Sequence, residues 1–302
     1  MKILITGGTG LLGSRLIELL GSEHVINVLT RSPRASKGNV HYYKWDPKNH
    51  DMDDKAIENI DAIINLAGAG IADKRWTEGR KNVILNSRVD SAATLFKYIN
   101  EQSTKPKVYL GASAVGYYGD RLDSRLVESD GPGTGFLADV TVEWEKAHKQ
   151  VSDMVDRSML LRIGIVLSTK GGALKEILKP TAVGAYGYFG NGQSYYPWIH
   201  IDDICGMMII ALEDKNYNGI YNGSAPEPLT NKELVKQVKQ AKKGFGLVMP
   251  VPIAALKIAM GDMTQMLTNS TRAIPQRMID QKYKFKFKDA VLAVRDLLDN
   301  KI

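Results

Sequence analysis

Three groups of residues in this 302-residue chain have types and spacings suited to chemistry. The first is a glycine set, Gly7, Gly8, Gly10 and Gly13, which reads as G-x-G-x-x-G from Gly8 and as T-G-x-x-G-x-x-G from Thr6. The second is Thr30-Arg31-Ser32, with Arg34 close by, a cation and hydroxyl cluster suited to a phosphate. The third comprises Ser113, Tyr117, Tyr118 and His200, side chains that can hold or move a proton beside a ligand oxygen. The acceptor for each group depends on the elements that position it.

Around the glycines those elements are plain. Ile3, Leu4 and Ile5 form an apolar run without alternation, as in a strand buried on both faces. After the glycines, Leu11, Leu12, Leu16, Leu19 and Leu20 recur at helical spacing. Strand, glycine turn and helix in that order are the context of a dinucleotide-binding fingerprint. Gly7, Gly10 and Gly13 allow a tight turn and close approach to a pyrophosphate, whose charge the helix start at Leu11 and Leu12 would favour. A second strand, Val25 to Leu29, delivers Thr30-Arg31-Ser32. An NAD site places a carboxylate there for the ribose hydroxyls, but no acid lies between Glu23 and Asp46. Arg31 instead suits a 2′-phosphate, so NADP is expected and NAD is disfavoured.

Further along, Val40 to Lys44 reads as a strand, and Asp46 after it would flank the adenine. The run Asp61 to Leu66 opens into Ala67-Gly68-Ala69-Gly70, so Leu66, Ala67 and Gly68 would lie against the cofactor. On a long helix from about Glu78 to Asn100, Arg88 shares a face with Ile84, Ala92 and Leu95 and is expected to reach the cleft. Lys107 to Ala112 is a strand ending at Ser113, and a helix follows with Leu137, Val140, Trp144, Ala147 and Val151 on one face. Ile163, just before the Gly164 break in an apolar strand, joins the expected cofactor-binding residues. This alternation predicts an α/β fold with a doubly wound parallel sheet.

From about Pro180 the rhythm changes. Glycines and aromatics between Gly184 and Trp198 read as a long functional loop rather than a regular element. Asp202 or Asp203 would cap a helix running to about Glu213, Gly219 to Gly223 reads as a strand, and the remainder as helical, Met-bearing and lysine-rich with Pro250, Pro252 and Pro275 as breakers. The expected division is a cofactor-binding part over residues 1–180, with 195–225 returning to it, and a substrate region over 181–302.

Bulk properties narrow the function classes. Cys205 is the only cysteine, so no intrachain disulfide can form and a cytoplasmic setting is expected. The net charge of +7 is spread without an aromatic-basic motif, so nucleic acid is not an expected partner. No apolar run approaches a membrane span, and no membrane partner or metal is expected. The expected partner is a small-molecule substrate, with a homodimer left open.

These motifs resemble the extended short-chain dehydrogenase/reductases, in the NAD-dependent epimerase/dehydratase branch, and within it the atypical epimerase family proteins with an extra C-terminal domain. The resemblance runs nearly end to end. It is carried by the Thr6–Gly13 stretch, Asn65-Leu66-Ala67-Gly68, Arg75-Trp76, Ser87-Arg88, Ser113 to Gly119, Trp144-Glu145, Trp198 to Asp203, and Asn222 to Pro226. It implies a Rossmann-type domain binding NAD(P) and a C-terminal region gripping substrate. Catalytic members of that superfamily use a tyrosine and a lysine four residues apart, yet no Tyr-x-x-x-Lys exists in this chain. Leu137 with Thr141, or Phe136 with Val140, fill the corresponding helix. Ser113, Tyr118 and His200 are therefore the candidate catalytic residues. The expectation is an NADP-dependent oxidoreductase or epimerase-like protein acting on a small hydroxylated compound, nucleotide-linked sugars included. The alternative is a non-catalytic NADP(H) sensor.

Overall fold

A computed structural model describes residues 1–32 and 34–302. Strand β1 (Lys2–Thr6) lies inside an eight-stranded sheet that also contains β2 (Val25–Thr30), β3 (Val40–Asp46), β4 (Asp51–Met52), β5 (Ala62–Asn65) and β6 (Val108–Ala114). Its remaining strands are Arg157–Ile163 and, at the edge, Gly219–Gly223. All neighbours pair in parallel except β3 with the short β4. β1 is flanked by β2 on one side and β5 on the other, so the chain reverses direction across the sheet there. Open α/β sheets bind ligands outside the strand ends at such a switch point.

The continuous apolar runs follow from burial on both faces. Ile3 and Ile5 pack on one side with Leu16 and Leu20 of α1 (Leu11–Leu20) and with the Ile201–Glu213 helix. Leu4 faces the other way, into a cluster with Ala92, Leu95 and Ile99 of α2 (Glu78–Glu101) and Val151 of α3 (Phe136–Ser152). The doubly wound α/β arrangement read from the sequence is therefore the observed one.

Two expectations for the C-terminal third change. Ala185–Phe189, read as irregular loop, is a strand paired in parallel with Leu247–Val251, a segment read as helical. Pro250 removes an amide donor and clashes with the preceding helical turn, and the β-branched Val248 and Val251 favour an extended strand. Its partner lies some sixty residues upstream, beyond the reach of local periodicity. The chain end folds back as well. Asp203 accepts hydrogen bonds from the Lys286 and Phe287 amides at 2.7 and 2.9 Å, seating the Ala290–Asn300 helix. No helix among the described residues is long and apolar enough to cross a membrane.

Candidate functional site

At the end of β1 the glycines divide the work between packing and openness. Gly7 has φ +68°, and a Cβ there would stand 2.7 Å from the Leu66 carbonyl oxygen. A Cβ on Gly13 would stand 2.4 Å from the Gly7 oxygen, and one on Gly8 2.8 Å from Val28 Cγ1. These three let α1 close onto the turn. Gly10 is different, since only the Gly7 oxygen, at 3.2 Å, would meet its Cβ. Gly10 caps α1 without any side-chain acceptor. The first-turn amides of Leu11 and Leu12 therefore have no intrahelical or capping partner, which makes the helix start a seat for an anion.

Two strand ends flank that seat. After β2, Thr30 Oγ1 accepts from the Ser32 amide at 3.2 Å and donates to the Ser32 carbonyl at 3.0 Å. This local turn leaves Arg31 and Ser32 exposed, and Arg31 has no side-chain partner among the described residues. Asp46 is half-buried and turns its carboxylate onto its own chain, accepting from the Lys48 amide at 3.2 Å and from Asn49 Nδ2 at 2.8 Å.

On the β5 side a buried polar chain fixes the backbone. Thr6 Oγ1 accepts from the Leu66 and Ala67 amides, both at 3.1 Å, and donates to Asn65 Oδ1 at 2.6 Å. Asn65 Nδ2 donates to the Tyr109 hydroxyl at 3.2 Å, and Tyr109 pairs with His148 Nδ1. His148 Nε2 completes the chain on the Ala112 carbonyl at 2.9 Å, and burial pushes this imidazole down to about 4. Leu66, Ala67 and Gly68 thus form a rigid floor beside Gly7.

Arg88 stands over this floor. Its Nη1 donates to the Ala69 and Ile84 carbonyls at 3.1 and 2.7 Å, and its guanidinium lies 4.8 Å from the centre of the Trp144 ring. A Cβ on Gly68 would come within 3.2 Å of Arg88 Cζ. Among the described residues no carboxylate pairs with it. Burial, with Arg80 as a second cause, lowers its pKa to about 10. Arg88 is thus half-buried and carries its charge without an anion partner among the described residues.

The proton-handling candidates fall in different places. Ser113, near the end of β6, is buried and donates to Glu145 Oε1 at 2.6 Å. Glu145 is held in turn by Arg162, whose Nε and Nη2 reach its two oxygens at 2.8 and 2.9 Å. Arg162 also lies 3.4 Å from the centre of the Tyr117 ring. Tyr118 is fully buried. Its hydroxyl donates toward Asn222 Oδ1 at 2.8 Å and accepts from Arg162 Nη1 at 3.0 Å, and burial raises its pKa. This corrects its reading as a donor to substrate, because the phenol is spent inside the protein. Ile163 is half-buried at its strand end, in register with Ala114 and Gly223.

His200 is also away from the cleft. It caps the Ile201–Glu213 helix, its Nδ1 accepting from the Asp202 amide at 3.0 Å, and it is fully buried against Phe287. Its Nε2 faces Asp296 at 3.2 Å, and burial drives it down to about 4. That placement corrects its reading as an acid or base and makes it a helix cap. Asp202 beside it is occupied by Arg15 and Lys286, at 2.7 and 3.2 Å.

Leu137 packs with Met260, Met263 and Met266, and Thr141 donates to the Leu137 carbonyl of its own helix at 2.6 Å. Neither does acid–base work. Sequence reasoning missed Glu145 and Arg162 as site residues. Their signal was there: Thr141, Glu145 and His148 are polar intrusions along one face of α3, and Arg162 interrupts an apolar strand.

With this geometry established, comparison with known proteins identifies the family. Residues 3–135 match the NAD dependent epimerase/dehydratase family, and residues 251–297 match a domain of unknown function, DUF1731. The chain is 32% identical over 308 residues to an epimerase family protein of Staphylococcus saprophyticus, covering 98% of each. It is 33% identical over 301 residues to the epimerase family protein YfhF of Bacillus subtilis, covering 99% of this chain and 98% of that one. The crystal structure of human epimerase family protein SDR39U1 (isoform 2) with NADPH superposes with a TM-score of 0.89 at 28% identity, covering 99% of this chain and 100% of the human one. Near-complete coverage at this identity shows that the chain belongs to the epimerase family proteins, in the NAD-dependent epimerase/dehydratase family.

Proposed function

We propose that this protein binds NADP(H) across the switch point between β1 and β5 and works as an oxidoreductase or epimerase-like enzyme on a small hydroxylated compound. The observation that carries the cofactor reading is the open helix start at Gly10-Leu11-Leu12, with the exposed Arg31 at the neighbouring strand end. The NADPH in the related human structure supports the same choice. In this reading Gly7, Gly10, Leu11, Leu12 and Gly13 hold the pyrophosphate, and Thr30, Arg31 and Ser32 the 2′-phosphate. Asp46 borders the adenine, and Leu66, Ala67, Gly68 and Ile163 line the rest, with Arg88 offering charge. Residues 1–180, joined by 195–225, form the cofactor-binding part, and 181–302 the substrate region.

When bound, the nicotinamide supplies a hydride-exchanging carbon. The chain's own contribution is a hydrogen-bond polarity. Ser113 donates its proton to the carboxylate that Arg162 grips, so toward a ligand it offers only lone pairs. It therefore receives a hydroxyl hydrogen and can pass its own proton to Glu145, a direction suited to a substrate alcohol. In the reverse direction Glu145 returns that proton through Ser113 to the ketone oxygen as the carbonyl carbon receives hydride.

A specific observation favours the second reading, a non-catalytic NADP(H) sensor: Leu137 with Thr141, or Phe136 with Val140, fill the helix where a tyrosine–lysine pair would sit, and Tyr118 is spent in the core. One experiment separates the two. NADPH carrying deuterium at nicotinamide C4 is incubated with the protein and a small-metabolite extract, and mass spectrometry follows the label. Deuterium in a metabolite, lost with Gly10→Val, supports the enzyme. Tight NADPH binding with full label retention supports the sensor.

A further inference from the structure

A corner of the C-terminal third combines projecting apolar side chains with a run of lysines. Val183, Phe245 and Leu247 are 82%, 75% and 69% exposed. They stand together: a Cβ on Gly184 would come 2.9 Å from the Phe245 ring, and the Leu247 amide donates to the Gly184 carbonyl at 2.9 Å. Met249 continues the same strand, and Ile258 is 81% exposed on the Ile253–Met260 helix, in which no residue is fully buried. No acidic residue occurs between Glu233 and Asp262, nor between Glu176 and Asp202, the two stretches that meet here. The first of them holds Lys236, Lys239, Lys242, Lys243 and Lys257. Two of these lysines brace the corner itself, Lys239 on the Gly246 carbonyl at 2.6 Å and Lys242 on Thr181 Oγ1 at 2.5 Å. Lys236 and Lys243 stay exposed beside them.

We infer that this corner docks the protein on the surface of an anionic lipid bilayer, with Val183, Phe245 and Leu247 entering the headgroup layer and the lysines facing lipid phosphates. Side chains this exposed project rather than line a groove, which suits a deformable surface better than the matched concavity a protein partner must supply. The lysines along these two stretches complement anionic headgroups, and of the acids nearby Glu176 is already paired with Lys179 at 2.7 Å. The sequence expectation of no membrane partner rested on the lack of a spanning run, a criterion silent about docking at the interface. The inference goes beyond the cofactor site and does not depend on it.

The test is flotation of the full chain with vesicles of mixed phosphatidylglycerol and phosphatidylcholine, against phosphatidylcholine alone. Binding to the anionic vesicles only, weakening as salt rises, is expected. The Lys236→Glu/Lys243→Glu pair is expected to weaken it about 25-fold or more, at about fivefold per lysine. Phe245→Ser/Leu247→Ser is expected to weaken it about tenfold or more. All these side chains are exposed, and circular dichroism melts matching the parent verify folding. No flotation at low salt would overturn the inference, as would flotation that ignores the apolar pair. It also fails if the protein proves to be a dimer that Phe245→Ser/Leu247→Ser splits while vesicles bind neither form.

Discussion

Ser113 Oγ lies 2.6 Å from Glu145 Oε1, and the same carboxylate is gripped at both oxygens by Arg162. The serine is therefore a satellite of a buried ion pair, and the two partners differ in what they support. Glu145→Ala strands the Arg162 guanidinium without an anion and is expected to cost about 3–5 kcal/mol of stability. Ser113→Ala removes one hydrogen bond and is expected to cost about 1 kcal/mol. Denaturant unfolding of both variants checks the order, and equal losses would contradict it.

The glycine turn predicts a contrast between two valine substitutions. Gly10→Val has room apart from the Gly7 oxygen, so the protein is expected to fold and to lose NADPH binding. Gly13→Val would drive side-chain atoms into the Gly7 backbone, already 2.4 Å from a Cβ, so it is expected to fail in folding. Thermal melts with NADPH titration separate the two. A Gly10→Val protein that binds like the parent would remove the pyrophosphate from this turn.

Arg88 offers a test in which stability and binding move apart. Its half-buried charge has no carboxylate partner and its hydrogen bonds go only to two carbonyls, so Arg88→Met is expected to cost about 1 kcal/mol or less. If the cation serves a ligand anion, the same variant weakens NADPH about tenfold or more. Loss of stability with unchanged NADPH affinity would make Arg88 a packing residue over Trp144.

Buried neutral imidazoles set an acid limit on stability. His148 is held near 4 in the folded chain, against 6.5 for the free side chain. Between those values the unfolded chain binds more protons, so stability is whole above about pH 6.5 and falls as pH drops toward 4. At pH 5 the His148 contribution is about 2 kcal/mol lost. His200 acts in the same direction. Unfolding of the parent and His148→Gln at pH 7 and pH 5 isolates the first, since the variant is expected to lose less on acidification. An equal pH effect in both would contradict it.

What the sequence disclosed and what it hid follow a physical line. β1, the glycine turn and α1 were legible because each is local: an apolar run, glycines at fixed offsets and a helical repeat. The doubly wound α/β class followed from repeating that pattern. The Ala185–Phe189 strand was hidden because its partner, Leu247–Val251, lies far along the chain. Tyr118 and His200 looked reactive by type, yet type does not record burial, and both are fully enclosed. The site role of Glu145 stayed hidden because it comes from β6 and the Arg157–Ile163 strand, which only the fold brings to α3.

If Arg31 reads the 2′-phosphate of NADP, calorimetric titration will register it. NADPH and NADH are each titrated into the parent and into Arg31→Asp. The parent is expected to prefer NADPH by about tenfold or more, and Arg31→Asp to abolish or reverse the preference by removing a charge-assisted contact and adding repulsion. An NADPH/NADH ratio that stays the same in both proteins would contradict it.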